Sequence, residues 1–272
     1  MKKLILFFPT IVLVVGLGDI SLRAQSNTVA TATEGDARVP VDAAHTPGND
    51  SAEFIISAPG SYYLTENVDA ANEKIGIEIA TNNVTLDLNG FSVSAGSSGV
   101  YIPCGTNCAV QNGNISDCSG AGVYCSANNV IFDRLNISTT GYGIQCLGDS
   151  GVIRDCSFYH NANTGIILYG GNYLITGNIC SGNNSQNAAN GATIFINTSN
   201  NRIENNFITG SGPLGYGIWI NTLPSTTNNI IIRNSVAGCG ANNYKINDSL
   251  NDVGPIGSAS MSINPWANIS RP

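Results

Sequence analysis

The sequence predicts an all-β solenoid, a parallel β-helix of about seven coils. Three observations predict it: a repeat of 21 to 29 residues, period-two alternation of apolar and polar side chains, and Asn and Gly recurring at matching places. Short strands of this kind bury no core alone, but stacked coils bury a continuous one. A leucine-rich solenoid shares the period, yet the LxxLxLxxN frame is missing and no 3.6-residue apolar pattern fills the other half of the repeat.

Each element follows from alignment on the last apolar residue of an Asn-rich strand. The anchors are Phe91, Ile115, Ile137, Phe158, Ile179, Ile208 and Val236. Five residues before them stand Leu86, Val110, Phe132, Ile153, Leu174, Ile203 and Ile231, every one apolar. A second strand in each repeat follows glycine: GIEI at Gly76, GVYI at Gly99, GVYC at Gly122, GIQC at Gly143, GIIL at Gly165 and GIWI at Gly217, with ATIFI after Gly191 slipped by two residues. Between the two strands lie Asn82-Asn83, Asn107, Asn128-Asn129, Asn172, Asn200-Asn201 and Asn228-Asn229. Asn best tolerates the left-handed backbone of a tight corner.

Residues 76–245 carry the repeats. Upstream, 47–75 reads as an N-terminal cap, hairpin-like over the first coil, and 25–46 as a small, polar, flexible leader. Downstream, 246–272 is a tail without the repeat, expected to fold back so that Trp266 is not left bare. Residues 1–24 have the charged start and short apolar run of a secretory signal peptide, with cleavage near Ala24 and export to the periplasm, cell surface or medium as its consequence. Cleavage would remove three cations and one anion, taking the formal charge from −7 to −9. Only Lys74 and Lys245 would remain as lysines, so the clustered basic face that nucleic acid or an anionic membrane requires is absent.

The runs GSYYLTENV, GIEIATNNVTLDLNGFSVS, GVYCSANNVIFDRLNIS and RIENNFITGSG resemble the bacterial secreted right-handed β-helix proteins of the pectate-lyase-like superfamily, over about residues 50 to 245. The resemblance implies a right-handed coil. It leaves activity open, because that superfamily contains lyases, hydrolases, epimerases, adhesins and members without an assigned reaction. The acids and base that a polyuronate lyase brings together on one face are not found, and neither are the GHG and R-I-K segments of the polygalacturonases.

Two outward columns carry the candidate residues. Four residues before the anchors stand Asp87, Gln111, Asp133, Arg154, Ile175, Glu204 and Ile232. Asp87 and Asp133 are the candidate catalytic carboxylates, about two coil spacings apart; paired charges on neighbouring coils, Asp133 with Arg154 and Arg134 with Asp155, explain the column equally as scaffold. In the glycine-led strand the outward residues are Glu78, Tyr101, Tyr124, Gln145, Ile167, Phe195 and Trp219. Of these, Glu78, Tyr101, Tyr124, Phe195 and Trp219 are the candidate substrate-binding residues, since exposed aromatic rings stack on sugar rings at little entropic cost. In this superfamily the equivalent face often carries the substrate groove. Mutual stacking that stabilises the ladder is the competing explanation.

His160 reads as a turn residue, because the repeat places no acid beside it. Among eight cysteines, Cys125 and Cys146 fall at equivalent places on neighbouring coils, able to bridge or to stack as small hydrophobes, and CGTNC could close a small loop between Cys104 and Cys108. A metal site is not expected from a single CxxxC, and no cofactor motif is present. The functional expectation is an exported rod that binds a polysaccharide on its aromatic face, with processing of that polysaccharide left open. A structural rod contacting protein and a glycan hydrolase or lyase with an unfamiliar catalytic set are the alternatives.

Overall fold

A computed structural model describes residues 38–272 except 71–72, 188–190, 222, 224–225, 247–248, 260–262 and 272. The signal peptide expected at 1–24 and most of the expected leader lie outside the described residues. The described chain is a parallel β-solenoid with three strand stacks around one apolar interior.

The first sheet contains nine parallel strands, from Ala52–Ile56 through Ile75–Ile79, Ser98–Ile102, Ala121–Cys125, Tyr142–Cys146, Thr164–Leu168, Ala192–Ile196 and Tyr216–Ile220 to Asn242–Lys245. The second stack includes Val84–Asp87, Gly151–Arg154 and Arg202–Glu204; the third includes Ser92–Ser94, Ser157–Tyr159 and Phe207–Thr209. Two long strands, Thr106–Ser116 and Asn128–Ser138, run through both and join them into one sheet.

Nine coils, not seven, therefore build the rod. The expected cap already forms a coil: Ala52–Ile56 pairs in parallel with Ile75–Ile79, and Gly60–Leu64 with Val84–Asp87. These two early strands lie in different sheets, so they are not a hairpin. Alternation is intact in this coil, but Pro59 and Gly60 stand where later coils have Asn. The last coil is hidden by the opposite effect: a long excursion separates Asp252–Val253, paired to Ile230–Ile232, from Asn268–Arg271, paired to Ser235–Ala237. The tail thus folds back as expected, although Trp266 stays 50% exposed.

Each corner is made by a residue in left-handed backbone. Asn83, Asn107, Asn129, Ser150, Asn172, Asn200 and Asn228 occupy the corner after the first sheet; Asn112, Arg134, Asp155, Gly177, Asn205 and Arg233 the next; Ala95, Asp117, Thr139, His160, Gly182, Gly210 and Gly238 the third. Their φ values run from 50° to 68°, so seven of the nine coils turn the same way at the first and third corners and six at the second. His160 is a turn residue in this sense.

Two anchors are corrected by the register. The inward column of the third stack is Val93, Ile115, Ile137, Phe158, Cys180, Ile208 and Val236. Val93 replaces Phe91 because Asn89-Gly90 lengthen that corner, and Cys180 replaces Ile179, which points outward and is 57% exposed. The partner column shifts likewise, from Leu174 to Ile175. In five of the nine first-sheet strands a glycine near the strand start faces this anchor. A Cβ on Gly76, Gly99, Gly122, Gly143 or Gly217 would lie 2.3–2.6 Å from a side-chain carbon of Val93, Ile115, Ile137, Phe158 or Val236. Hydrogen alone fits there.

Candidate functional site

The outward side of the first sheet is built by alternation: residues flanking an inward Ile, Val or Cys must point out. Register sets Ile55, Glu78, Tyr101, Tyr124, Gln145, Ile167, Phe195, Trp219 and Lys245 in one column. All five predicted binding residues therefore share one face, in the predicted order. The same face holds aromatics that the single-column reading missed. Tyr142 and Tyr216 lie in the neighbouring outward column, and Tyr169, 45% exposed, continues past the strand end beside Leu147. Period two finds only Tyr169, two residues past outward Ile167; Tyr142 and Tyr216 stand three residues before Gln145 and Trp219, across the opening glycine that interrupts the alternation.

The rings divide into an engaged group and an open one. Trp219 packs against Phe195 at 4.8 Å and Tyr216 at 5.2 Å between centroids, with the Lys245 ammonium 3.9 Å from its ring centre. Its Nε1 is buried with no hydrogen-bond partner. Tyr101 and Tyr124 pack at 5.5 Å, tilted by 49°. Burial and neighbouring Tyr124 push the Tyr101 phenol above its ordinary range, so it is a neutral donor at physiological pH. Tyr169 makes no such ring pair among the described residues, and its phenol too is raised by burial. Glu78 and Lys245 are the charged groups of the central column, each three coils from its middle, where half-buried Gln145 pairs with buried Ile167.

The second outward column is Asp87, Gln111, Asp133, Arg154, Thr176, Glu204 and Ile232, with Thr176 in the place expected for Ile175. The carboxylates are held. Asp87 accepts from Arg38 Nη1 at 2.9 Å, from the Asn89 amide at 2.8 Å and from Asn112 Nδ2 at 3.0 Å. Asp133, 3% exposed, lies between Arg154 Nε at 3.1 Å and Arg134 Nη1 at 2.9 Å. Arg134 thus bonds Asp133 rather than the expected Asp155; both Arg134 and Asp155 occupy left-handed corners, which turns their side chains off the strand column. Glu204 binds Arg202 and Arg233, each at 2.8 Å, and the Arg202 hydrogen bond leads the effects that hold its carboxyl below the usual range.

A cleft of about 470 Å³ lies along the third corner, between Asp117, Thr139, His160 and Gln186. Thr139 donates to Asp117 at 2.7 Å, and His160 packs edge-on against Tyr159 at 4.1 Å. The eight cysteines are free thiols; Cys125 and Cys146 are register partners inside the core, while Cys104 is exposed and Cys108 buried.

Residues 121–253 match the family model for the right handed beta helix region. The chain is a right-handed β-solenoid. Among solved structures, the alginate lyase of Paenibacillus sp. str. FPU-7 superposes with a TM-score of 0.60 at 13% identity, covering 82% of this chain and 85% of that one. The mannuronan C-5 epimerase AlgE4 A-module of Azotobacter vinelandii gives 0.49 at 13% identity, over 78% and 68%. The DFA-IIIase of Arthrobacter chlorophenolicus A6 gives 0.42 at 12% identity, over 83% and 74%. At 13% identity the β-solenoid shares with the alginate lyase a fold and nothing more specific. No curated protein matches the chain.

Proposed function

We propose that this β-solenoid is an exported protein that binds a polysaccharide lengthwise on the outward face of its first sheet. The observation that carries the reading is the concentration of Tyr101, Tyr124, Tyr142, Tyr169, Phe195, Tyr216 and Trp219 on one face, along successive coils. Coils repeat at about 4.8 Å, close to the length of one sugar residue, so a chain laid along the rod meets a new rung at each unit. The named activity of the alginate lyase, whose fold this chain shares, concerns a polysaccharide and supports the ligand class. Tyr169, 45% exposed and without a ring pair among the described residues, is the part of the face most open to a sugar ring, with half-buried Tyr142 beside it and Tyr124 at its border. Glu78 and Lys245 stand toward opposite ends of the face, so nothing in its middle favours a charged chain.

Affinity electrophoresis through gels carrying neutral polysaccharides tests this. Wild type should be retarded by at least one. Tyr124→Ala combined with Tyr169→Ala should weaken retardation about tenfold, about 1.4 kcal/mol, at unchanged circular dichroism. Equal retardation of wild type and double variant would remove the aromatic face as the site.

A further inference from the structure

A second site lies on a different sheet, at the C-terminal end, where the returning tail closes a cleft of about 400 Å³. Its floor is Ile230 and Ile232 of the second stack, and its walls include Arg202, Asp252, Asn264 and Trp266. Register places Arg202, Ile230 and Asp252 on three successive coils in one outward column. Arg202 and Asp252 therefore stand roughly 10 Å apart across an apolar rung.

Trp266 is the informative residue. A tail that only sealed the rod would gain most by burying its largest side chain, yet this ring is half exposed on the rim of the cleft. It is also held. The Arg233 guanidinium lies 4.9 Å from the ring centre, Arg233 is fixed by Glu204 at 2.8 Å, and Glu204 by Arg202 at 2.8 Å. The tail backbone is pinned as well, by the Trp266 amide donating to Asn264 Oδ1 at 2.8 Å. A half-exposed aromatic braced in this way is preorganised.

We propose that this cleft binds one pyranose unit of a neutral glycan, as a saccharide site independent of the aromatic face. A pyranose presents an apolar C–H face and a rim of hydroxyls. The apolar face matches Trp266 and the Ile230–Ile232 floor; the rim finds a carboxylate acceptor in Asp252 and a guanidinium donor in Arg202, at opposite ends. Two cations, Arg202 and Arg233, are balanced by two anions, Glu204 and Asp252, so a net-charged ligand gains nothing here.

The chain has two tryptophans, so Trp219→Phe leaves Trp266 as the only one and its emission reports on this cleft. The full-length variant is titrated with cellohexaose, xylohexaose and mannohexaose, and with adenosine as a flat aromatic control. At least one hexasaccharide should give a saturable change in emission. Adding Asp252→Ala, at an exposed position, should weaken it at least tenfold without lowering the melting temperature. Adding Tyr124→Ala and Tyr169→Ala instead should leave it in place, which separates this site from the first-sheet face. No saturable change with any hexasaccharide, or saturation by adenosine alone, overturns the proposal.

Discussion

Gly122 shows how one absent methyl group sets the width of a coil. Its strand must pass close to the Ile137 side chain, and a Cβ there would lie 2.6 Å from Ile137 Cγ2 and 2.8 Å from the Gly143 carbonyl oxygen. Neither neighbour can move away, since one is core and the other is sheet backbone. Gly122→Ala should therefore cost about 1–3 kcal/mol through overpacking, read as a lower urea midpoint at unchanged slope. Gly257→Ala is the matched control: nothing lies within 4 Å of its added carbon, and its midpoint should move by less than about 0.5 kcal/mol. Thr193 occupies the same column in the seventh coil, and there the hydroxyl is buried without a partner. That coil is the one whose sequence pattern slips.

Between residues and rod stands the ladder, a column of identical side chains bonding across coils. Asn178, Asn206, Asn234 and Asn268 form one inside the rod: each Nδ2 donates to the next Oδ1, at 2.9, 2.9 and 3.1 Å, and each Oδ1 also accepts a backbone amide from the coil before it. Asn206→Ala would take the acceptor from the Asn178 backbone amide and one of two from its Nδ2, and the Nδ2 donor from the carbonyls of Ile175 and Glu204. Several such groups at about 1–3 kcal/mol each make this a loss of more than about 3 kcal/mol by denaturant titration. Asn136→Ala, which breaks an exposed bond to Asn114 that water replaces, should cost less than about 1 kcal/mol. The ladders were only half legible. An Asn pair in the sequence marks a corner, but its members divide the work differently: in Asn200-Asn201 and Asn228-Asn229 the first takes the left-handed corner and the second points inward, whereas in Asn128-Asn129 the second is the corner and the first accepts from the next coil. Both orders satisfy the same composition, so only packing separates them.

At the scale of the whole rod, the class and the aromatic column were legible because period-two alternation and the opening glycine together leave one register that buries the apolar side chains. Coils without that punctuation were not: the first lacks its Asn corner, and the last is split by an excursion of the tail. The Trp266 cleft was illegible for the same reason, since its two sides come from coils and from a segment with no repeat to place it. A closed rod makes a final prediction from its sulfurs. Cys108, Cys118, Cys125, Cys146, Cys156 and Cys180 are at most 2% exposed, and burial pushes the Cys118 and Cys156 thiols up to about 12. They should be inert at pH 8, where reactivity needs thiolate and access. Ellman's reagent should find one fast thiol, Cys104, a slower one at the half-buried Cys239, and the remaining six on unfolding. Cys104→Ser should abolish the fast phase alone. Fast labelling of any of the six in native protein would mean that the coil stack opens between neighbouring rungs, which nine mutually paired coils do not allow without losing the ladders that span them.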